Sequence, residues 1–549
     1  MTAVARESTA ATPAMSPVPG SATAATIASG HAPPTVERTA VDWRRAGMIM
    51  VGALALASGI AVVDARPVGV VHDDAMYVIL ARSLASGDGY RYLNLPGAPP
   101  ATHFPPGYPA LLAMVSWIAP AFPASVVAFK ALNAVFLAAA AMLLVRFAEA
   151  RAMGSRWALT LGAASAVSVP LLLLGSMVLS EPFFLALLLL LLPALETLAE
   201  RPASVRRAVL LGVVLGLCTL VRSHGIVLVP AVAIVLGWRG RWRDAALVVG
   251  AAVVTLLPWQ IWSAVHAGTL PAPLQGNYDT YTSWWIRGVR QSGIGMVGYT
   301  LAKTVPEVIQ MLGVLFSPLR APAARIATVI ALGALTIAGA WSVRRRMPVT
   351  LLFAAGYALI VLVWPFNPSR FVWGVWPLLL LMLVAGAYSA VAYPSRLTRP
   401  ARAVLLAAFA WVVLGYAAYE VRGVRGSWWS SIARAGTVRI TPAVKWTLAN
   451  TAPDDVLAAE DERAIYLYTG RRAVPVFSFT AAQYLRPHTP AENATEGLRP
   501  ILSAYPVRTV IVGSRNTVDA ADFLVNSPTP ALAPRADFPA GVAYTVLPR

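Results

Sequence analysis

The chain of 549 residues contains one cysteine, Cys218, which lies inside an apolar run. A single cysteine excludes a disulfide framework within the chain and a metal site built from several thiolates. Lysine is almost as rare, since three of the 44 basic residues are lysines and the rest are arginines.

Charge as a whole is scarce. Charged residues make up 13% of the chain and apolar residues 57%, whereas a soluble protein carries about 25% charged residues. Repeated apolar runs of roughly 15–23 residues indicate a polytopic membrane protein. The net charge of +19 does not favour a nucleic-acid partner, because the arginines cluster at the ends of apolar runs, where they act as topology signals.

The N-terminal residues 1–40 are mostly Ala, Thr, Ser and Pro. That composition cannot bury a core, and it predicts a disordered cytoplasmic tail. The first apolar run, 46–63, follows Arg44 and Arg45. It begins too late for a signal peptide and has no clear cleavage site, so we interpret it as the first membrane helix.

Arginine placement predicts the topology of residues 45–420. Eleven membrane spans place every arginine cluster on the cytoplasmic side, provided that 107–122 lies on the membrane surface. The first outside loop is then 64–125. The predicted spans are 46–63, 126–148, 157–175, 182–198, 208–221, 225–238, 245–265, 322–343, 348–364, 371–391 and 403–419.

Residues 421–549 differ in character from the membrane part. Short β-like runs at 456–459, 473–477 and 509–512 alternate with helix-like stretches. This alternation predicts a small α/β domain. The topology places it outside the cytoplasm.

The first outside loop carries a motif-rich stretch, 72–109. It opens on two adjacent carboxylates, Asp73 and Asp74, continues into an amphipathic helix, and ends in the turn HFPPGYP, which contains His103 and Tyr108. Acids, a histidine and rigid turns beside a bilayer indicate a site more than a connector. The alternative is that the two aspartates only cap the helix.

More charged residues fall on the same predicted face. They are Glu181 in the sequence SEP, Arg222 and His224 in RSHG, and Arg370 in WPFNPSRF. Ionisable residues at the membrane edge are costly and therefore suggest function. An arginine binds phosphate through bidentate hydrogen bonds, and a carboxylate deprotonates a hydroxyl, which suits an anionic lipid-linked substrate. Helix capping by Glu181 and interfacial anchoring by the arginines are the alternatives.

The acidic pair, the PPGYP turn, the SEP acid and the PSRF arginine together resemble the GT-C membrane glycosyltransferases. The resemblance is greatest to the bacterial branch of aminoarabinose lipid A transferases, galacturonosyl transferases and protein O-mannosyltransferases. It implies a cytoplasmic-membrane enzyme that passes a sugar from a polyprenyl-phosphate donor to a lipid, glycan or protein acceptor on the outer face.

The resemblance also implies roles for residues. It implies that Asp73 is the general base. Asp74 stands at a position where relatives often have Glu, and Glu181 would be the acid that positions the donor or the acceptor. Arg370, and less closely Arg222, would hold the donor phosphate. Tyr108, His103 and His224 complete the predicted binding set, although His103 and Phe104 stand where the aminoarabinose enzymes have a lysine before the paired prolines.

The expected reaction is a single displacement with inversion and no cofactor. A divalent metal at His72, Asp73 and His103 is less favoured, and no nucleotide-binding Gly-rich loop occurs. The alternatives are a transporter or flippase of a lipid-linked sugar, an O-antigen ligase or polymerase, and a non-catalytic scaffold. The aromatic, basic segment 266–321 is predicted to be an outside loop, serving either as a mobile lid or as an interfacial belt.

Overall fold

The computed structural model describes residues 42–548, so the predicted disordered tail at 1–40 lies outside the described residues. Residues Trp43–Arg549 form one compact unit. The helices before residue 270 are α1 (Trp43–Ala61), α2 (Asp73–Ala85), α3 (Gly107–Ser116), α4 (Ser125–Arg151), α5 (Ser155–Ala166), α6 (Val169–Gly175), α7 (Glu181–Glu200), α8 (Val205–Val221), α9 (Leu228–Trp238) and α10 (Trp242–His266).

The remaining elements follow in chain order. The helices up to residue 450 are α11 (Ala272–Tyr278), α12 (Tyr281–Ser292), α13 (Gly295–Phe316), α14 (Pro322–Val343), α15 (Pro348–Leu362), α16 (Ser369–Trp373), α17 (Trp376–Ala392), α18 (Arg399–Gly426) and α19 (Ser431–Asn450). The C-terminal elements are β1 (Val456–Ala459), α20 (Glu462–Thr469), β2 (Ala473–Pro475), α21 (Ala481–Leu485), α22 (Pro490–Glu492), α23 (Arg499–Ala504), β3 (Val507–Val512), α24 (Arg515–Val525), β4 (Leu532–Phe538) and β5 (Gly541–Val546).

The protein is a multi-pass membrane protein, but the predicted count of eleven spans is not confirmed. Within residues 42–548, six helices are long and apolar enough to cross a membrane: α1, α4, α7, α10, α14 and α18. The pair α5 and α6, bent by 51°, gives up to seven spans. Other predicted spans form shorter apolar helices of 10–17 residues, whereas a straight span needs about 20 residues.

The arginine clusters meet at one end of the helices. Arg151 pairs with Glu200 and also donates to the main-chain carbonyl of Arg346. Arg239 donates to the carbonyl of Ala199 at 2.8 Å. The loops after α4, α7, α9 and α14 therefore lie side by side, as the arginine pattern predicts.

The segment 266–321, which was predicted to be an outside loop between two spans, is largely helical, and its placement outside the membrane stays a prediction. Its longest helix, α13, packs against α14 and α18. The buried residues Met296, Thr300 and Thr304 lie four residues apart on one face of α13, while Lys303 is exposed. The sequence obscured this helix because small, polar and charged residues interrupt its apolar stripe.

The C-terminal α/β region is present as predicted. Its sheet has the strand order β2-β1-β3-β5-β4, in which β2, β1 and β3 are parallel and β5 and β4 are antiparallel additions. The region contacts the first outside loop, since Ala473 donates its N–H to the carbonyl of Asn94 at 2.8 Å and the Tyr468 hydroxyl accepts from Val68 N–H at 3.0 Å. The α/β region and the first loop therefore enclose the space between them.

Candidate active site

The two adjacent aspartates at the start of α2 face different surroundings. Asp74 is 2% exposed and accepts backbone N–H groups from Gly69, Val70 and Val71 in the preceding turn and from Ala75. Burial raises the pKa of Asp74, and these donors oppose the rise. Asp74 thus holds the turn that leads into α2, and it does not line either cavity described below.

The Asp73 side chain faces a cavity, in contrast to that of Asp74. The residue before it, at the N-cap of α2, makes no side-chain capping hydrogen bond. This residue, His72, has φ of 62°, a left-handed conformation that is uncommon outside glycine. Strained backbone of this kind is concentrated at functional sites. This bend starts the helix at Asp73.

A chain of alternating charges joins four of the predicted segments. Arg370, on α16, donates from Nη1 to Asp73 Oδ2 at 2.6 Å and from Nε to Glu181 Oε1. Arg222 pairs with the same Glu181 oxygen at 2.9 Å and donates to Ser180 Oγ at 3.0 Å. The structure therefore brings Asp73, Glu181, Arg222 and Arg370 into one network.

Several polar atoms of this network are buried without a hydrogen-bond partner among residues 42–548. They are Glu181 Oε2, Arg370 Nη2, Arg222 Nε and, beside them, His224 Nε2. Buried polar groups are nearly always hydrogen-bonded in proteins, so such a cluster of exceptions requires an explanation. A polar ligand placed against the network would satisfy them.

Burial and ion pairing act in opposite directions on Asp73. Burial alone raises the pKa of its carboxyl, but the Arg370 guanidinium outweighs this effect and holds the pKa below its usual value. Asp73 is therefore a carboxylate at neutral pH. It is a weak base as long as Arg370 stays bound to it.

A cavity of about 430 Å³ opens on Asp73 and Arg370, and we call it the polar cavity. Its remaining walls come from the first outside loop, from α11 and α12, and from the C-terminal region. The residues that line it include His72, Asp73, His103, Asn277, Tyr281, Trp284, Phe366, Arg370, Phe371, Glu462, Arg463, Phe477 and Phe479.

A second cavity of about 670 Å³ adjoins the first, and we call it the tryptophan cavity. Trp259, Trp285 and Trp364 line it, together with several aliphatic and hydroxyl side chains. His103 and Tyr281 line both cavities, so they stand where the two meet. The predicted residue His224 lines the tryptophan cavity, with its ring stacked on Phe371 at 5.3 Å.

His103 is held in a neutral form. Burial lowers its pKa to about 4, against the opposing effects of the Asp279 carbonyl and the Asp73 carboxylate. Its Nδ1 contacts that carbonyl, which can only accept, so Nδ1 carries the proton. His103 Nε2 is then an acceptor.

Tyr108 lies away from both cavities. Its ring is fully buried against Tyr77 with 5.1 Å between the ring centroids, and its hydroxyl donates to Asn133 Oδ1 at 3.2 Å. Tyr77 in turn shares a hydrogen bond of 3.1 Å with Ser180 Oγ. Tyr108 thus supports the charge network from behind and lines neither cavity, and its predicted contact with substrate stays a prediction.

Helices α11 and α12 are fixed to the C-terminal region. Asn277 exchanges two hydrogen bonds with residues 477–479, donating to Phe477 O at 2.8 Å and accepting from Phe479 N–H at 2.7 Å. Trp284 stacks on Phe479 with an interplanar angle of 4° and donates from Nε1 to its carbonyl. Residues of α11 and α12 line both cavities. Whether the segment 266–321 is a mobile lid stays a prediction.

The sequence analysis missed Glu462 and Arg463, which begin α20 and line the polar cavity. A signal was present, because they belong to a run of charged residues directly after a β-like run in a weakly charged chain. Sites collect at the carboxyl ends of parallel strands such as β1. No group of three or more His, Cys, Asp or Glu residues is placed to hold a metal in the described part of the chain.

Comparison with known proteins bears on the fold. No protein-family model and no curated protein matches the chain. The chain is similar to the crystal structure of ArnT from Cupriavidus metallidurans bound to undecaprenyl phosphate, with 15% identity, a TM-score of 0.55, and coverage of 90% of this chain and 97% of that one. The apo structure of the same protein gives 12% identity, a TM-score of 0.52, and coverage of 91% and 98%.

The chain has the GT-C fold. This confirms the resemblance at the level of fold, including the small mixed sheet that accompanies the membrane helices. The archaeal oligosaccharyltransferase AglB from Archaeoglobus fulgidus is a more distant match, at 13% identity, a TM-score of 0.48 and coverage of 86% and 69%. In this chain the GT-C fold places the polar cavity between the first outside loop and the C-terminal sheet.

Proposed function

We propose that this chain is a membrane glycosyltransferase that moves a sugar from a polyprenyl-phosphate donor to a lipid, glycan or protein acceptor on the outer face of the cytoplasmic membrane. The observation that carries the proposal is the Asp73–Arg370–Glu181–Arg222 network, with its unpartnered buried atoms, at a cavity that adjoins a second, aromatic one. The bound undecaprenyl phosphate of the similar ArnT structure supports a lipid-phosphate donor.

The two cavities suit the two parts of such a donor. The tryptophan cavity has the aromatic and aliphatic walls that an isoprenoid chain requires, and the polar cavity has the charges that a sugar phosphate requires. His103 and Tyr281 stand at the junction, where the phosphate would lie. Among the described residues, the buried donors without hydrogen-bond partners include Arg370 Nη2 on the polar cavity, Trp364 Nε1 on the tryptophan cavity, and Arg222 Nε in the charge network behind them.

The reaction is a single displacement. Asp73 takes the proton of an acceptor hydroxyl, the acceptor oxygen bonds to the anomeric carbon, and the bond from that carbon to the phosphate oxygen breaks with inversion. The polyprenyl phosphate leaves with the electron pair, and Arg370 and Arg222 stabilise its charge. Asp74 and Glu181 position the base and the arginines, respectively.

Donor binding changes the state of the base in this mechanism. The donor phosphate competes with Asp73 for the Arg370 guanidinium, because both are oxyanions within its reach. Once Arg370 turns to the phosphate, Asp73 loses the strongest of the charges that lower its pKa, so its pKa rises and it becomes a stronger base. Asp73 is thus activated when a donor is present.

The test compares wild type, Asp73→Asn and Asp88→Asn in membrane vesicles supplied with radiolabelled polyprenyl-phosphate sugars and an acceptor extract. Asp88 is an exposed carboxylate in the same loop and is the matched control. We expect transfer by wild type and Asp88→Asn, and a loss of about 10²–10⁴-fold in Asp73→Asn at equal protein level.

Equal transfer by Asp73→Asn and wild type would refute Asp73 as the base. Retention of the anomeric configuration in the product, read by NMR, would refute the single displacement. If wild type moves intact labelled lipid across the vesicle membrane and transfers no sugar, the flippase alternative replaces the transferase.

A further inference from the structure

The C-terminal α/β region contributes a charged wall to the polar cavity. Glu462 and Arg463 begin α20, which follows the carboxyl end of the parallel strand β1. Both side chains line the cavity that contains Asp73. The cavity is therefore lined by a second arginine besides Arg370. This arginine belongs to α20 of the C-terminal region, whereas Arg370 belongs to α16.

Arg463 is buried but incompletely satisfied. It is 7% exposed, and its guanidinium carbon lies 4.9 Å from the centre of the Tyr278 ring. Its Nε is 3.2 Å from Glu462 Oε1, yet this nitrogen has no hydrogen-bond partner. The Glu462 oxygen is already the acceptor of the Tyr278 hydroxyl at 2.6 Å.

The surroundings of Arg463 differ from those of Arg370 and Arg222. Those two arginines share Glu181, and Arg370 also binds Asp73. Arg463 makes no ion pair with that network, and it lines the polar cavity together with Arg370, whereas Arg222 lines neither cavity. If the donor phosphate binds Arg370 and Arg222 as proposed, the face of Asp73 near Arg463 is left for the acceptor.

We infer that Arg463 is a specificity-determining residue that binds a carboxylate or phosphate group on the acceptor, next to the hydroxyl that Asp73 deprotonates. A planar, buried guanidinium whose Nε makes an ion pair but no hydrogen bond among the described residues suits an oxyanion, and pairing with one offsets the burial of the arginine. Tyr278 and Glu462 orient the guanidinium by the ring contact and the ion pair. This inference rests on the proposed function for the position of the acceptor.

The test measures binding, so it does not depend on finding the natural acceptor. The purified full chain is titrated with octyl glucuronide and octyl glucoside, which differ by one carboxylate, and with glucose 6-phosphate and glucose, which differ by one phosphate. Quenching of tryptophan fluorescence reports occupancy, since Trp284 lines the same cavity. The two pairs distinguish a carboxylate ligand from a phosphate ligand.

We expect wild type to bind one anionic probe about 10- to 100-fold more tightly than its neutral partner, as one charge-assisted interaction provides. Arg463→Gln should remove this preference and leave the affinity for the neutral probe unchanged. Arg463→Lys should restore part of the preference. Arg508→Gln, which removes an exposed arginine from the same region, should behave as wild type.

Equal binding of both members of each pair by wild type would overturn the inference, as would an unchanged preference in Arg463→Gln. If Arg463→Gln does not fold, Tyr278→Phe replaces it and should weaken the preference, because Glu462 loses its hydrogen bond from the Tyr278 hydroxyl and then binds Arg463 more strongly. A retained anionic preference together with absent sugar transfer would count against the proposed function and leave the oxyanion site in place.

Discussion

Glu181 holds two arginines at once, and removing its charge should destabilise the fold strongly. Its side chain is 0% exposed, and that of Arg222 is 7% exposed. Glu181→Gln keeps the shape and leaves Arg222 without a paired carboxylate among the described residues. Breaking a buried ion pair from one side costs about 3–5 kcal/mol, so we expect the free energy of unfolding to fall by about that amount.

Denaturant titration in detergent micelles, followed by tryptophan fluorescence, measures this change. The matched control is Glu200→Gln, because Glu200 pairs with Arg151 while 38% of its side chain is exposed. An exposed pair contributes about 0–1 kcal/mol, so the control should be nearly neutral.

A double variant tests whether the loss comes from an unpaired charge. Arg222→Met in the Glu181→Gln background removes the uncompensated guanidinium, and we expect the double variant to be more stable than the sum of the two single losses predicts. A loss below about 1 kcal/mol in Glu181→Gln, or strict additivity in the double variant, would show that the charges do not stabilise each other.

Two further predictions concern the cavity walls. The folded protein holds the pKa of His103 at about 4, so between that value and 6.5 the unfolded chain binds a proton that the folded chain does not. Stability should therefore fall as pH decreases through this window, and His103→Gln should flatten the decline in unfolding titrations at pH 7, 5.5 and 4; an unchanged slope would contradict the neutral histidine. Asn277→Ala removes two hydrogen bonds and should speed hydrogen exchange in α11 and α12 by about tenfold, while α7 and the exposed-site control Asn450→Ala stay unchanged.

Most residues of the charge network could be predicted from the sequence, because the membrane topology of the chain alone brings them to one face. Asp73, Glu181, Arg222 and Arg370 each stand at the same end of an apolar run, and helices that cross a membrane must return these ends to one face. What the sequence did not resolve was the difference between Asp73 and Asp74. Neighbouring helical residues point about 100° apart, so one faces the cavity and the other faces the turn.

The errors have physical causes too. The span count is not confirmed, because a bent pair and several short helices depend on neighbouring helices, which the apolar runs do not reveal. Arg463 was missed because its proximity to Asp73 arises from the folding of residues far apart in the chain. The hydrogen bond from Tyr108 to Asn133 was not predicted, because a tyrosine in a Pro-rich turn gives no sign of which group its hydroxyl contacts.

The late contribution of the C-terminal region has a consequence for biosynthesis. Asp73 and its loop leave the ribosome early, whereas Tyr468, Ala473 and the residues 477–479 that fix α11 are made long after the first ten helices. Until those residues fold, the first loop lacks two of its hydrogen-bond partners and the polar cavity has no far wall. In a nascent chain the Asp73 carboxylate therefore lies in an open cleft, and the polar cavity is completed when the C-terminal region docks.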